Sequence, residues 1–158
     1  MTTAAIALGS NLESTVGDRA GNLRRAIEEL GTVGRVVAVS GFYDTAPVGY
    51  VEQPRFLNAA AIVDTELAAG ELLAGLLAIE RRMGRDRSAT VAKGPRIVDL
   101  DLILFGDAVI ETVELVVPHP AMRERRFVLE PLAEIAPEMV DPVTGRTVGE
   151  LLAEIASC

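Results

Sequence analysis

Cys158 is the only cysteine in the 158-residue sequence, histidine occurs once, at His119, and tryptophan is absent. A disulfide framework is thereby excluded, and a cysteine-based metal site nearly so. Two Tyr and four Phe are the only aromatics, so each ring is a candidate for a specific task. No apolar run approaches the ~20 residues that span a bilayer. The opening Met1-Thr2-Thr3-Ala4 has no basic flank, so no signal peptide is expected and the protein is placed in the cytoplasm, away from membranes. The motif Gly-x-x-x-x-Gly-Lys-Ser/Thr is missing too, which rules out a P-loop as the basis of any phosphate binding. Repeats, low-complexity tracts and Pro/Gly/Ser-rich linkers are also lacking, and the length fits a single domain over residues 1–158.

What is present begins with charge. The net charge of −8 argues against a general nucleic-acid binder, which is usually basic. Yet nine of the fifteen Lys and Arg residues fall between Arg81 and Arg126. A local cluster of that kind suits a small polyanion such as a nucleoside triphosphate, although a solvated basic face would look the same by composition.

Hydrophobic periodicity gives the framework. Ala4 to Leu8 reads as a buried strand ending at Gly9-Ser10-Asn11. Asp18 is a good N-cap for a helix with Leu23, Ala26, Ile27 and Leu30 on one face, ending at Gly31. Arg35 to Tyr43 and Phe56 to Thr65 have strand character, separated by a loop around Thr45 to Tyr50. Leu72, Leu76, Ile79 and Met83 mark a second long helix ending at Gly84. An Arg/Gly-rich loop (85–95) leads to a strand from Ile97 to Phe105, turning at Gly106-Asp107. A weaker extended stretch and two helices, Phe127 to Ile135 and Gly149 to Ala156, complete the chain. The order predicts an α+β fold: a ferredoxin-like βαββαβ antiparallel sheet with additional C-terminal helices, in a three-layer α/β/α sandwich.

The most informative segment is Gly94-Pro95-Arg96-Ile97-Val98-Asp99-Leu100-Asp101-Leu102. On a strand Asp99 and Asp101 share a face, their Cα atoms roughly 6–7 Å apart. Two such acids could simply face solvent. But Ile103 and Phe105 are expected on the same face, with Val98, Leu100, Leu102 and Leu104 on the other. A strand apolar on both sides is buried, and acids within it need a partner. Paired hard oxygen donors suit Mg²⁺, which also takes phosphate oxygens from a substrate. Arg85, Arg87, Arg96 and Arg125 supply planar forks that grip phosphate. His119 lies between Pro118 and Pro120, as suits either a rigid loop residue or a positioned donor. Phe56 and Asn58, two apart, could offer a stacking ring and an amide to a flat heterocycle, or could be a core ring beside a turn-facing amide.

In order and spacing, Leu8-Gly9-Ser10-Asn11-Leu12, Tyr43-Asp44-Thr45-Ala46-Pro47-Val48-Gly49, Gln53-Pro54-Arg55-Phe56-Leu57-Asn58, the paired-Asp segment, Pro118-His119-Pro120 and Phe127-Val128-Leu129-Glu130-Pro131-Leu132 resemble the 6-hydroxymethyl-7,8-dihydropterin pyrophosphokinase family across nearly the whole chain. The resemblance implies transfer of the β,γ-pyrophosphoryl group of ATP to the pterin's hydroxymethyl oxygen, with release of AMP, in folate biosynthesis. It implies two Mg²⁺ ions on Asp99 and Asp101, which with Arg85 and Arg96 form the catalytic set. Glu80, Arg85, Arg87, Lys93, Arg96, His119 and Arg125 would contact ATP. Phe56 and Phe127 would sandwich the pterin, while Asn58 and the backbone of Thr45, Pro47 and Val48 read its edge. Three features depart from the family pattern. Glu13 to Val16 looks like an insertion, Lys93 stands where some members have an aromatic, and Ala46 replaces a common second proline.

A ferredoxin-like binding domain without catalysis is the main rival, and needs neither the Asp pair nor the arginine loop. An RNA-recognition module would want exposed aromatics and basic character. A kinase for another flat heterocycle would share the Phe56, Asn58 and Phe127 set. The sequence further suggests a monomer.

Overall fold

The computed structural model describes residues 1–11, 18–45, 55–84 and 97–156. In chain order the elements are β1 (Thr2–Ser10), α1 (Arg19–Leu30), β2 (Arg35–Val39), β3 (Tyr43–Thr45), β4 (Phe56–Thr65), α2 (Ala69–Arg82), β5 (Asp99–Phe105), β6 (Ile110–Glu111), β7 (Val116–Val117), α3 (Arg126–Ile135) and α4 (Val148–Ala156). A single 3₁₀ turn, Met122–Glu124, precedes α3. The fold is α+β around an antiparallel sheet ordered β2-β4-β1-β5, with β3 also paired to β4. β6 and β7 form a separate hairpin.

Helix ends follow local chemistry. The Asp18 carboxyl accepts from the Gly21 N–H at 2.8 Å, satisfying one of the donors that a helix start leaves open. Gly84, just beyond α2, has φ +94°, a backbone conformation that a side chain would strain. Leu23, Ala26 and Leu30 of α1 and Leu72, Leu76, Ile79 and Met83 of the second helical run are buried against one face of the sheet, with Ile6, Leu8, Ala61 and Val63. Met122, Val128, Leu129, Leu132, Val148 and Leu151 bury the other face, with Ala5, Ala60 and Ile62. β1, β4 and β5 are thus covered on both sides, which explains their apolar runs, whereas β2 leaves Val37 and Val39 exposed.

Two expectations need correction. The strand expected over 35–43 is broken between β2 and β3. There the Ala60 N–H donates to the Ser40 hydroxyl and the Gly41 N–H to the Glu134 carboxyl, so these groups are used outside a β2–β4 ladder. Strict alternation along β5 also fails. The β1–β5 register slips between Ala5 (opposite Leu104) and Ile6 (opposite Leu102), making Ile103 an extra residue. Past this bulge the faces exchange: Leu104 joins Ile103 in the α3/α4 cluster, while Phe105 packs on the α1/α2 side. That strand also begins at Asp99 rather than Ile97.

Candidate active site

β4, β1 and β5 lie side by side, and their register sets Asn58, Gly9 and Asp99 in one row. Ala60, Ala7 and Asp101 form the next row on the same face. With strands about 4.8 Å apart, Asn58 and Asp99 stand about 10 Å apart across Gly9. The face is the one covered farther along by α3 and α4, since Ala60 and Ile62 lie in that cluster and Phe127 packs against it. Leu100 and Leu102, pointing the other way, are buried under α1 and α2. Asp99 and Asp101 are both half-buried.

Gly9 had no role assigned from sequence, because a missing side chain leaves no chemical signature. A Cβ there would stand 3.1 Å from the Asn58 Oδ1 and 3.6 Å from the Phe56 Cδ1. Its hydrogen keeps the space open between the amide and the first aspartate.

Among the described residues β5 ends the sheet, so the outward N–H of Leu100 meets no neighbouring strand there. The Glu80 carboxyl, on the last turn of α2, accepts it at 2.8 Å. Glu80 is 1% exposed, so the structure places it beneath the strand, between the levels of Asp99 and Asp101, and not on an open wall. A buried backbone donor without an acceptor would be strongly unfavourable.

The bulge at Ile103 reaches the next part of the site. The Ile103 carbonyl accepts from the His119 N–H at 2.9 Å, fastening the Pro118-His119-Pro120 segment to β5. The Val117–Pro118 peptide is cis. His119 is held below its ordinary pKa, first by burial and then by the Arg125 charge, against an opposing pull from Asp99. His119 is thus near enough to Arg125 and Asp99 to feel both charges. Arg125 in turn lies over the Phe127 ring, 5.5 Å from its centre.

At the other wall, Asn58 Nδ2 donates a short hydrogen bond to Thr45 Oγ1, and Thr45 pairs with Phe56 across β3 and β4. Asp44 accepts from Arg55 Nε at 2.8 Å and from Arg19 at 3.1 Å. Those hydrogen bonds, Arg19 first, hold the Asp44 carboxyl below the usual range. Arg19 also donates to the Arg55 carbonyl, so α1, β3 and the start of β4 are tied at one point. Pro47, Val48, Arg85, Arg87, Lys93 and Arg96, with Ala46 and Glu13 to Val16, lie outside the described residues.

Oxygen donors on Asp99 and Asp101 suit Mg²⁺ completed by water and phosphate oxygens. Among the described residues no three His, Cys, Asp or Glu side chains gather as a metal-binding group, and a site shared with phosphates does not require one. No helix among the described residues is long and apolar enough to cross a membrane.

The family model described as 7,8-dihydro-6-hydroxymethylpterin-pyrophosphokinase (HPPK) matches residues 5–137. The chain is 46% identical over 157 residues to the 2-amino-4-hydroxy-6-hydroxymethyldihydropteridine pyrophosphokinase of Methylorubrum extorquens, covering 98% of this chain and 94% of that protein. It is 47% identical over 143 residues to the protein of the same name in Bacillus subtilis, covering 89% and 82%. A longer relative, the folic acid synthesis protein of Schizosaccharomyces pombe, is 37% identical over 156 residues, and the chain spans only 20% of its length. Among solved structures, Plasmodium falciparum HPPK-DHPS with pteroate superposes with a TM-score of 0.76 at 15% identity, covering 99% of this chain and 43% of that one. That likeness speaks for the fold alone.

Proposed function

The chain belongs to the 7,8-dihydro-6-hydroxymethylpterin-pyrophosphokinase family, and on that premise we propose how its residues divide the work. The enzyme transfers pyrophosphate from ATP to 6-hydroxymethyl-7,8-dihydropterin in folate biosynthesis. The hydroxymethyl oxygen forms a bond to the β-phosphorus, the bond from that phosphorus to the α,β-bridging oxygen breaks, and AMP departs. The hydroxyl proton is lost as the new ester forms.

The observation that carries the assignment is the row of Asn58, Gly9 and Asp99. It gives a flat recess over Gly9, with an amide on one side and an acidic edge about 10 Å from that amide on the other, a spacing that suits a heterocycle whose short arm points at phosphate. Asn58 and the backbone of Thr45, Pro47 and Val48 read the edge of the pterin, and Phe56 and Phe127 hold its faces. His119 and Arg125 take the ATP side, with Arg85, Arg87, Lys93 and Arg96 from the basic segment. Glu80 serves that side from beneath, by fixing the strand.

Asp99 and Asp101 would hold two Mg²⁺ ions with ATP. When bound, Mg²⁺ neutralises phosphate charge and acidifies the attacking hydroxyl. The remaining catalysis is positioning and charge stabilisation, as phosphoryl-type transfer requires. No conventional general base is assigned; Asp99 or Asp101 would help to accept the hydroxyl proton.

We further read β1-α1-β2 and β4-α2-β5 as a ferredoxin-like core within a three-layer sandwich, residues 1–158 as one domain, and the protein as a cytoplasmic monomer. One cooperative unfolding transition and sedimentation at the mass of one chain are expected. Two separate transitions or a dimer mass would reject the respective points.

The direct test is AMP release from ATP and 6-hydroxymethyl-7,8-dihydropterin with Mg²⁺, with and without EDTA. AMP formed in step with the pterin and abolished by EDTA is expected. ADP in place of AMP would show attack at the γ-phosphorus and overturn the assignment.

A further inference from the structure

Asp141 is fully buried in the connection between α3 and α4. Its carboxyl accepts from Arg123 Nε at 2.5 Å and from the second Arg123 nitrogen at 3.1 Å. The Val143 N–H and the Thr144 hydroxyl complete its set. Burial alone would push the Asp141 carboxyl up, but the hydrogen bonds, Arg123 first, outweigh it and hold the group below its ordinary value. The base of the pair is itself locked: the Asp141 N–H donates to the Arg146 carbonyl and its carbonyl accepts from Gly145, both at 2.8 Å.

Arg123 lies at the middle of the 3₁₀ turn. The Met122 N–H donates to the His119 carbonyl at 3.2 Å, and the Arg125 N–H donates to the Met122 carbonyl at 3.3 Å. One short turn therefore connects His119 to Arg125 through Met122. Met122 is buried in the α3/α4 cluster, which fixes the depth of the turn. Packing of one unbranched, flexible side chain leaves rotation about it weakly defined. A bidentate ion pair has a strict geometry, whereas its net gain in stability over apolar packing is small or negative. That combination suits orientation better than it suits stabilisation.

We infer that the Arg123–Asp141 pair, its carboxylate buried and its guanidinium partly exposed, is a positioning device that orients the His119–Arg125 turn toward the triphosphate. The inference rests on the assignment of His119 and Arg125 to the ATP side. Arg123 and Asp141 touch neither substrate and act through that turn.

The test uses the full chain and four variants: Arg123→Met, Arg123→Lys, Asp141→Asn and, in parallel, His119→Ala. Steady-state AMP release gives KM for ATP and for the pterin separately. Because His119 is the only histidine, its imidazole NMR signal reports the turn without substrate. Arg123→Met and Asp141→Asn should raise the ATP KM about tenfold, leave the pterin KM within about twofold, and move the His119 signal; Arg123→Lys should recover part of the loss. Folded variants with unchanged ATP KM and an unmoved His119 signal, but a lower Tm, would overturn the inference and leave the pair as a stability element. A moved His119 signal with an ATP KM unaffected both there and in His119→Ala would instead overturn the ATP assignment of the turn. Asp141→Asn, nearly isosteric, keeps the test usable should Arg123→Met fail to fold.

Discussion

The guanidinium of Arg125 lies over the ring of Phe127, 5.5 Å from its centre, so a charge assigned to ATP and a ring assigned to the pterin touch each other at the start of α3. A cation so placed is attracted to the ring face. The ring in turn limits the directions that the long arginine side chain can take. Phe127→Ala should therefore raise both KM values. Loss of a stacked ring is worth about 1–3 kcal/mol by analogy with nucleobases, or roughly fivefold to 150-fold in the pterin KM. The ATP KM should rise by less, while Phe127→Tyr, which keeps the face, restores both. An ATP KM unaffected by Phe127→Ala would show that Arg125 is aimed without its help.

Gly9→Ala asks whether the recess between Asn58 and Asp99 is as shallow as it looks. The added methyl would sit 3.1 Å from the Asn58 Oδ1, so the amide must give way or the strand must shift. Asn58 is already tied to Thr45, which leaves it little room. The pterin KM is expected to rise at least severalfold, with a small change in the ATP KM. Isothermal titration with the pterin would check this directly. Equal losses for both substrates would mean that the strand had moved as a whole.

Glu80→Ala removes the acceptor of the Leu100 N–H. An orphaned buried donor costs about 1–3 kcal/mol, and here the strand carries the two aspartates on either side of it. We expect a lower Tm and a higher Mg²⁺ concentration for half-maximal AMP release. Glu80→Gln keeps an acceptor oxygen and should recover most of the stability. A fall in Tm with an unchanged Mg²⁺ requirement would separate the strand's stability from the placing of Asp99 and Asp101.

The same residues show what a sequence can reveal. Phe56–Thr65 was readable as a strand to its last residue, because small and β-branched apolar residues run from Ala59 to Val63 at its centre. Asp18 bounded the first helix by its cap, and Gly31 marked the other end although its backbone stays right-handed. The Asp99 and Asp101 pair was visible because its spacing equals the strand period. The bulge at Ile103 was not, since Leu102-Ile103-Leu104-Phe105 is apolar whichever side each residue faces. Nor could Glu80 be placed under Leu100, or Asp141 under Arg123. Those pairs are 20 and 18 residues apart, and only the tertiary fold brings them together. Gly9, visible as a strand end and in a family-like segment, showed no role of its own for the opposite reason: its contribution is a space.

His119 supplies a prediction about pH. Its pKa is lowered, first by burial and then by Arg125, with Asp99 opposing. A base whose folded pKa lies below its unfolded value of about 6.5 binds fewer protons folded than unfolded between the two. Stability from this group therefore rises with pH up to about 6.5 and is fully present above it, and it falls as the pH drops below that value. The single imidazole signal should titrate below 6.5 in the free protein. ATP would bring negative charge beside a ring that Arg125 now repels from protonation, so the midpoint should move upward when Mg²⁺ and a non-reactive ATP analogue are added. Arg125→Ala should raise the midpoint in the free protein as well. A midpoint at or above 6.5 without nucleotide would contradict the burial of the ring, and one that the nucleotide leaves unmoved would remove His119 from the triphosphate.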